Sequence, residues 1–352
     1  MTTLEGYIQH KLFSEIELID PFFDSLKIDY PEFENWFARK VKEKAFVMSN
    51  PQGKLEAFLY LKIENGPIED VTPAILVSRV LKIGTMKINP HGTRLGERFI
   101  KKTLDVAISE GVEGIYVTVF SKHEALVTLF KKYGFSQRST KSSVSGTELV
   151  LWKSLNDVQK NTLLDYPRIS QRGKRKHILS IYPDFHTRLF PDSILNNEHF
   201  DVLEDVSHTN SIHKVFISAA PVSGLRPGDI IVIYRTSDNL APARYRSVAT
   251  SICVVEEVKS KQNFSNAASF IDYCDKYSVY TAKELHGIYV ERKRHYVIKM
   301  VYNIALRKKL TRGRLMDELG IEASRWTFFE LTDNQFDSIL QAGDAHESLV
   351  ID

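Results

Sequence analysis

The first half of the chain alternates between helical and strand-like spacing of its apolar residues. Residues 14–26 and 32–44 have the spacing of amphipathic helices, with Pro21 and Pro31 marking a kink and a start. The segments that follow combine further helices with short strands rich in β-branched and aromatic residues. This alternation predicts a sheet covered by helices. The predicted strands are 44–49, 54–64, 81–88, 114–120 and 147–152, and the later helices are 96–109 and 123–133.

The strand that ends at residue 88 runs through a glycine-bearing loop directly into a helix. The first N–H groups of a helix have no partners within it, and together with the helix dipole they form an anion site. Gly92 and Gly96 let the backbone approach an oxygen-rich ligand. The pattern favours a phosphate or pyrophosphate at residues 90–96, although glycine before a helix also fits ordinary turn chemistry. Gly84, inside the strand, predicts a bulge or a close backbone approach.

The second half is richer in strands and follows a polar stretch. Residues 155–176 break the earlier pattern and end in a basic run, which predicts a linker or a mobile arm. Beyond it, strands separated by turns and two late helices predict a small β-barrel with peripheral helices. The strands are 177–182, 214–218, 229–235, 249–258 and 295–305, and the helices are 267–276 and 312–319.

Length and composition set limits on the kind of protein. A chain of 352 residues favours two domains, and a net charge of +3 does not by itself identify a partner. Cys253 and Cys274 are too few for a disulfide framework and lack the neighbours of a zinc site, so no metal is expected. The polar N-terminus and the lack of an apolar run of about 20 residues predict a soluble, cytoplasmic protein with no signal peptide and no membrane span.

The order of elements over residues 32–152 resembles the GNAT acetyltransferase family. In that family a loop motif Arg/Gln-x-x-Gly-x-Gly/Ala precedes the helix, and a later helix ends in a Gly-Phe step. His91 falls at the Arg/Gln position, Arg94 and Gly96 fall at the two glycines, and Gly134-Phe135 matches the Gly-Phe step. The resemblance implies that residues 1–154 form an α/β (α+β) domain with a mixed central sheet flanked by helices.

By this resemblance the first domain is an acetyl-CoA-dependent N-acetyltransferase. Backbone groups of residues 86–88 would pair with the pantetheine arm, and amides of the loop would hold the pyrophosphate. The strands that carry Met86 and Tyr116 would splay apart and leave a slot for the thioester. The cofactor-binding residues implied are Met86, Lys87, Ile88, His91, Gly92, Thr93, Arg94, Leu95, Gly96, Ser121 and Phe130.

Two positions depart from the family pattern. Arg94 replaces the first glycine and adds both a Cβ and a cation that can contact a phosphate. Phe130 stands where many members carry a tyrosine, and it cannot protonate a leaving thiolate. Tyr133, one turn later, is the candidate acid, and Glu64, at the end of its strand, is the candidate base. The plainer interpretations are an aromatic ring packed at a helix end and a solvated carboxylate.

The second half carries a cluster of basic residues. Residues 291–314 contain nine Lys or Arg side chains against a single acid, with aromatic residues between them. Clustered cations neutralise phosphates and aromatic rings stack on unpaired bases, so the cluster indicates nucleic-acid binding. A solvated charged face is the alternative. The candidate nucleic-acid-binding residues here and in the linker are Lys174, Arg175, Lys176, Arg292, Lys293 and Arg294.

Much of residues 177–310 resembles an ASCH domain of the PUA-like superfamily, and the resemblance assigns residues 177–352 to that domain. The resemblance rests on His177-Ile178-Leu179-Ser180-Ile181-Tyr182-Pro183 and on a Gly228-Asp229 turn into an apolar strand. Members of that superfamily are small barrels that mostly bind RNA or modified bases. Lys214 and Arg235 are the cations we expect nearest the pocket. The amidohydrolase signature of some members, Gly-x-Lys-x-x-Glu-x-Arg, is not found here, so we do not expect a hydrolase.

Three functions follow from the two halves. The first is an N-acetyltransferase that modifies an amine on RNA or on an RNA-linked group, such as an aminoacyl-tRNA, while the ASCH-like domain binds the nucleic acid. Some two-domain proteins of this kind are toxins or mobile-element enzymes. The second is a protein or small-molecule N-acetyltransferase whose barrel is a partner module. The third is a nucleic-acid binder with a degenerate acetyltransferase domain.

Overall fold

The computed structural model describes residues 8–50, 52–89, 95–190 and 211–351, and the chain divides into two units, Met1–Asp165 and Tyr166–Asp352. Residues 156–165, which precede this boundary, are hydrogen-bonded within the first unit. The Asp165 carboxylate accepts the backbone N–H groups of Gln159 and Asn161 at 2.7 and 2.9 Å. Lys153 Nζ donates to the Leu164 carbonyl at 2.6 Å. These bonds tie the segment to the strand that precedes it.

The first unit is built on a seven-stranded mixed sheet in the order β1-β2-β3-β4-β5-β7-β6. All neighbouring strands are antiparallel except β4 and β5, which are parallel. The parallel pair lies in the middle of the sheet, where a crossover helix is needed to connect it. The strands are β1 Gln9–Leu12, β2 Lys44–Ser49, β3 Leu55–Asn65, β4 Arg79–Ile88, β5 Gly114–Val119, β6 Ser136–Ser143 and β7 Gly146–Ser154.

Helices cover both faces of this sheet. On one face, α1 Asp24–Asp29 and α2 Phe33–Ala38 belong to an aromatic core that includes Ala45 and Val47 of β2. The alternate side chains of β2 face the other way, where Lys102 of α3 Leu95–Ser109 lies 5.0 Å from the ring of Phe46. α4 Glu124–Lys132 packs beside α3. The predicted GNAT-like sheet flanked by helices is confirmed.

The two predicted N-terminal helices are wrong in extent. Residues 14–26 form two 3-10 turns, Phe13–Glu15 and Pro21–Phe23, followed by α1. The cause is local, because the Asp20 side chain accepts the Phe22 N–H at 2.8 Å and Pro21 starts a new turn. The helix predicted over 32–44 ends at Ala38. β1 and β6 were not predicted.

Gly84 forms the predicted bulge in β4. The β3–β4 register shifts between Tyr60 and Leu61, which pair with Thr85 and Ile83, so Gly84 is the extra residue. A Cβ at Gly84 would lie 2.6 Å from Cδ1 of Tyr60. The ring of Tyr60 therefore occupies the space that any larger residue at position 84 would need.

The second unit contains a six-stranded mixed sheet in the order β10-β13-β12-β11-β9-β14, with β9 and β11 parallel. In the described part of this unit the sheet is open, with β10 and β14 as its edge strands. The predicted closed barrel is therefore not formed by these residues. β8 Ile169–Ser170 pairs separately with β15 Val350–Ile351. The six strands are β9 Lys176–Ile181, β10 His213–Ser218, β11 Ile230–Arg235, β12 Val248–Ser260, β13 Tyr296–Thr311 and β14 Phe328–Leu331.

The helices of the second unit were predicted only in part. α7 and α9 match the predicted segments, while α5, α8 and α10 were missed although each begins with a recognisable signal. Pro183 occupies the first turn of α5, and Thr281 with Glu284 and Thr332 with Gln335 form capping boxes. No helix in the described ranges is long and apolar enough to cross a membrane. The helices are α5 Pro183–Leu189, α6 Ala243–Arg246, α7 Ala267–Asp275, α8 Ala282–Val290, α9 Arg312–Asp317 and α10 Asp333–Ala342.

Candidate functional site

The two parallel strands of the first unit part in the middle of the sheet. Their ladder runs from Val80 and Gly114 to Ile83 and Val117 and stops there, although β4 continues to Ile88. Beyond Ile83, the edge of β4 that faced β5 is paired with no strand in the described part of the unit. The predicted splaying of these strands is confirmed.

A cavity of about 940 Å³ lies where the strands part. It reaches both faces of the sheet, because its lining includes α1, α2 and the residues between them on one side and the start of α3 and α4 on the other. Residues 83–88 of β4 and 117–119 of β5 form its centre. The cavity can therefore admit two molecules from opposite faces and bring them together between the strands.

Four of the predicted cofactor-binding residues line this cavity: Met86, Lys87, Ile88 and Gly96. Leu95 and Phe130 are buried, Ser121 is exposed, and none of these three is part of the lining. The remaining four, His91, Gly92, Thr93 and Arg94, lie outside the described residues.

Gly96 has a packing role that its sequence context did not reveal. A Cβ at this position would lie 2.6 Å from Cδ2 of Leu129. A larger residue here would make the Leu129 side chain move, so glycine favours the close approach of α3 to α4 whether or not a ligand binds at the helix end. The prediction had attributed the glycine to the approach of a phosphate.

The two predicted catalytic residues lie apart from the cavity. Tyr133 is fully buried and Glu64 lines a separate cavity of about 530 Å³. Glu64 accepts a hydrogen bond from Tyr116 Oη at 2.5 Å and lies 3.7 Å from Lys82 Nζ. Burial raises the pKa of Glu64, but the Tyr116 hydrogen bond and the Lys82 charge outweigh it and leave this pKa below its usual value. A carboxylate held in this way is a weakened base.

A buried carboxylate that the sequence did not single out lies in the larger cavity. Glu148 of β7 is 5% exposed and lines the cavity together with Tyr30, the C-cap residue that follows α1. Tyr30 Oη donates to Glu148 Oε1 at 2.7 Å, and its ring stacks on Phe120 with centroids 5.3 Å apart. Burial, with the hydrogen bond to Glu148, raises the pKa of Tyr30 well above its usual value, so the phenol stays protonated.

A second pair of contacts fastens α1 to the turn before α4. The Asp29 carboxylate lies 2.5 Å from Lys122 Nζ and 3.0 Å from His123 Nε2, and all three residues line the cavity. These contacts join positions more than ninety residues apart in the chain. No local spacing in the sequence could indicate them.

The predicted nucleic-acid-binding residues of the second unit fall into two groups. Several are buried or engaged in ion pairs. Arg175 binds Asp229 at 2.5 Å, and Lys176 Nζ, 2% exposed, lies 2.6 Å from Asp333. Lys214 and Arg235 are buried, and Lys214 Nζ lies 5.6 Å from the centre of the Tyr302 ring. The exposed group is Lys174, Arg292, Lys293 and Arg294.

Arg292, Lys293 and Arg294 form a basic turn between α8 and β13. The buried Lys261 holds the backbone of this turn and of the end of α8, since Lys261 Nζ donates to the carbonyls of Ile288 at 3.0 Å and Lys293 at 2.9 Å. Lys261 also donates to the Glu291 carbonyl. The three cationic side chains therefore project from a fixed backbone.

Comparisons with known proteins bear on the fold of each half. A scan of protein-family models and a search of curated proteins found no match to this sequence. Among solved structures, the ASCH protein from Zymomonas mobilis matches 47% of this chain and 94% of its own, at 7% identity and a TM-score of 0.33. A GNAT-family acetyltransferase from Streptococcus pneumoniae matches 42% of this chain and 98% of its own, at 12% identity and a TM-score of 0.31.

A further neighbour is a spermidine/spermine N-acetyltransferase from Vibrio cholerae, in mutant forms. It matches 42% of this chain and 91% of its own, at 13% identity and a TM-score of 0.30. Both families that the sequence resembles therefore occur among its structural neighbours, each over about half of the chain.

Proposed function

We propose that the first unit is an acetyl-CoA-dependent N-acetyltransferase. The observation that carries the proposal is the parting of β4 from β5 at Ile83 and Val117 above a cavity open to both faces of the sheet. Transfer of an acetyl group requires a thioester and an amine to meet with little water between them. A gap between strands, entered from opposite faces, provides that arrangement.

The residues around the gap fit the cofactor. Past Ile83, the free edge of β4 presents N–H and C=O groups to which the amides of a pantetheine arm can bond, as an added strand does. α3 begins at Leu95, and its first N–H groups favour a pyrophosphate at the helix end. Met86 and Ile88 line the cavity, and a Cβ at Gly96 of α3 would lie 3.8 Å from Cδ1 of Ile88. Met86, two residues earlier on the strand, projects from the same face. When bound, acetyl-CoA supplies the activated acetyl thioester.

Calorimetry and thiol release test this proposal. We expect acetyl-CoA and CoA to bind, and we expect free thiol to appear when acetyl-CoA is mixed with a set of primary amines. Glu64→Gln and Tyr133→Phe test the base and the acid that the sequence suggested. A fall in kcat of about 100-fold without weaker CoA binding would assign them those roles, and an unchanged kcat would leave the roles to groups that line the cavity. No binding heat at high micromolar acetyl-CoA would contradict the proposal.

For the second unit, we propose that it binds RNA through the basic turn Arg292–Arg294, so that the acceptor amine is on RNA or on an RNA-linked group. The supporting observation is that the three cations are exposed on a backbone held by Lys261. A fixed set of cations loses less conformational freedom on meeting phosphates than a mobile one. Transfer to a protein or a small molecule is the alternative.

Salt-dependent binding to total tRNA tests the role of the turn. Replacing Arg292, Lys293 and Arg294 by Gln should weaken binding and reduce the slope of log K against log salt by about 2 to 3, since each phosphate contact contributes about 0.7 to 0.9. The matched control replaces three scattered exposed cations outside the basic cluster, Lys276, Lys283 and Arg325, by Gln. Equal effects of the two triple variants would show that only total charge matters and would overturn the assignment.

A further inference from the structure

Glu148 lies on the face of the sheet that α1 and α2 cover. Thr118 of β5 pairs with Val150 of β7, and side chains alternate along a strand, so Thr118, Val150 and Glu148 project from one face. The hydrogen bond from Tyr30, at the end of α1, shows which face that is. The cofactor-binding residues next to α3 lie on the opposite face. Glu148 therefore lies on the side from which an acceptor would enter.

The carboxylate is held in one orientation by its surroundings. Tyr30 donates to Oε1 of Glu148, and Tyr30 itself is fixed by the stacked ring of Phe120. Gly146, the first residue of β7, lies beside the same ring, since a Cβ there would lie 3.4 Å from Cε1 of Phe120. Within the described residues, Oε2 of Glu148 accepts no hydrogen bond. One oxygen is thus fixed and the other is available to a ligand.

The two lysines that line the cavity are engaged by other partners. Lys87 Nζ donates to Ser25 Oγ and lies 5.1 Å from the centre of the Phe22 ring, while Lys122 pairs with Asp29. The partner that Glu148 has, the Tyr30 phenol, is neutral. The other titratable groups that line the cavity are Asp29, Glu32, Arg39, Lys87, Lys122, His123 and Glu124.

We propose that Glu148, positioned by Tyr30, binds the acceptor as an aliphatic ammonium ion and takes its proton. This inference rests on the proposed acetyltransferase function. An ammonium ion supplies a positive charge to pair with the buried carboxylate, whose hydrogen-bond partner is neutral. The rings of Tyr30, Phe33 and Trp36 line the same cavity and can contact the ammonium group and its carbon chain. The exocyclic amine of a nucleobase is neutral, so it does not match this site.

The proton balance of the step is complete. The ammonium group gives one proton to Glu148, and the freed lone pair forms the C–N bond as the C–S bond of the thioester breaks. The nitrogen loses its second proton as the amide forms. One of the two protons ends on the departing sulfur, which leaves as a thiol, and the other passes from Glu148 to solvent.

Turnover measured against pH tests the proton transfer. With phenethylamine and lysine methyl ester as acceptors, Glu148→Gln should lower kcat/KM by about 100-fold near neutral pH, and the loss should shrink as pH rises and free amine accumulates. Tyr30→Phe should lower it by about tenfold. The control is Glu34→Gln, an exposed carboxylate of α2 outside the cavity. A Glu148→Gln enzyme within twofold of wild type at every pH would overturn the proposal.

Amine binding gives a readout that does not depend on turnover. Calorimetry on the CoA-loaded protein compares phenethylamine with phenethyl alcohol, which has the same shape without the charge. We expect wild type to bind the amine at least about tenfold more tightly than Glu148→Gln does, while the alcohol binds both equally. Equal amine affinity, or no amine binding to wild type, would overturn the site even if acetyl-CoA binds. Absence of CoA binding would instead refute the proposed function.

Discussion

At the residue scale, His186 shows how strongly the second unit controls protonation. This residue of α5 has a fully buried side chain, and its Nε2 lies 2.8 Å from Oγ1 of Thr250. Its Nδ1 has no hydrogen-bond partner among the described residues, so a second proton would meet no acceptor there. Burial, reinforced by the charges of Arg235 and Lys309, lowers the pKa of His186 from 6.5 to about 3.

We predict that His186 makes the stability of the second unit fall as the solution is acidified. Below pH 6.5 the unfolded chain binds a proton at this position, and the folded chain does not until about pH 3. The stabilising contribution is therefore complete above pH 6.5 and is lost as pH falls towards 3. Between pH 7 and pH 5 the loss is about 2 kcal/mol. Urea unfolding at the two pH values measures it.

The variant His186→Gln isolates this contribution. It keeps a polar group near Thr250 but cannot be protonated, so the difference in unfolding free energy between pH 7 and pH 5 should decrease by about 2 kcal/mol. His286 is exposed on α8, and His286→Gln is the matched control that should leave the difference unchanged. The same pH difference in wild type and His186→Gln would contradict the prediction.

At the element scale, local patterns were sufficient where one segment carries its own signal. The strand–loop–helix unit of β4 and α3 was predicted within one or two residues, because alternation and amphipathic spacing are properties of the segment itself. Gly134, in the Gly-Phe step predicted to end a helix, follows α4 and has a φ of +85°. β6 was missed because most of its residues are polar and exposed, which leaves no apolar alternation to recognise.

The residues of the candidate site also fall into those that a local motif indicated and those that it did not. Met86, Ile88 and Gly96 were predicted because they lie next to the loop that resembles a known family motif. Glu148 and Tyr30 are 118 residues apart and meet only after β7 has joined β5 and α1 has covered the sheet. A contact created by the assembly of distant elements leaves no periodic signal in one sequence.

At the scale of the whole molecule, each unit contains a core of its own. The first has an aromatic cluster that includes Phe23, Phe37 and Phe58, and the second has an apolar cluster that includes Ile231 and Ile298. Units with separate cores unfold as separate transitions when the interface between them contributes little. The tryptophans can report on each unit, since Trp36 and Trp152 belong to the first and Trp326 to the second.

We predict that CoA stabilises the first unit alone. A ligand that binds only the folded state adds about 2.7 kcal/mol to the unfolding free energy at 100 times its Kd. In Trp326→Phe, tryptophan fluorescence follows the first unit. Its urea transition should move to higher urea, and the unfolding free energy obtained from it should rise by this amount. In Trp36→Phe/Trp152→Phe, fluorescence follows Trp326, and the transition should stay in place. If CoA moved both transitions equally, the two units would unfold as one, and if it moved only the second, the cofactor site would lie outside the β4–β5 gap.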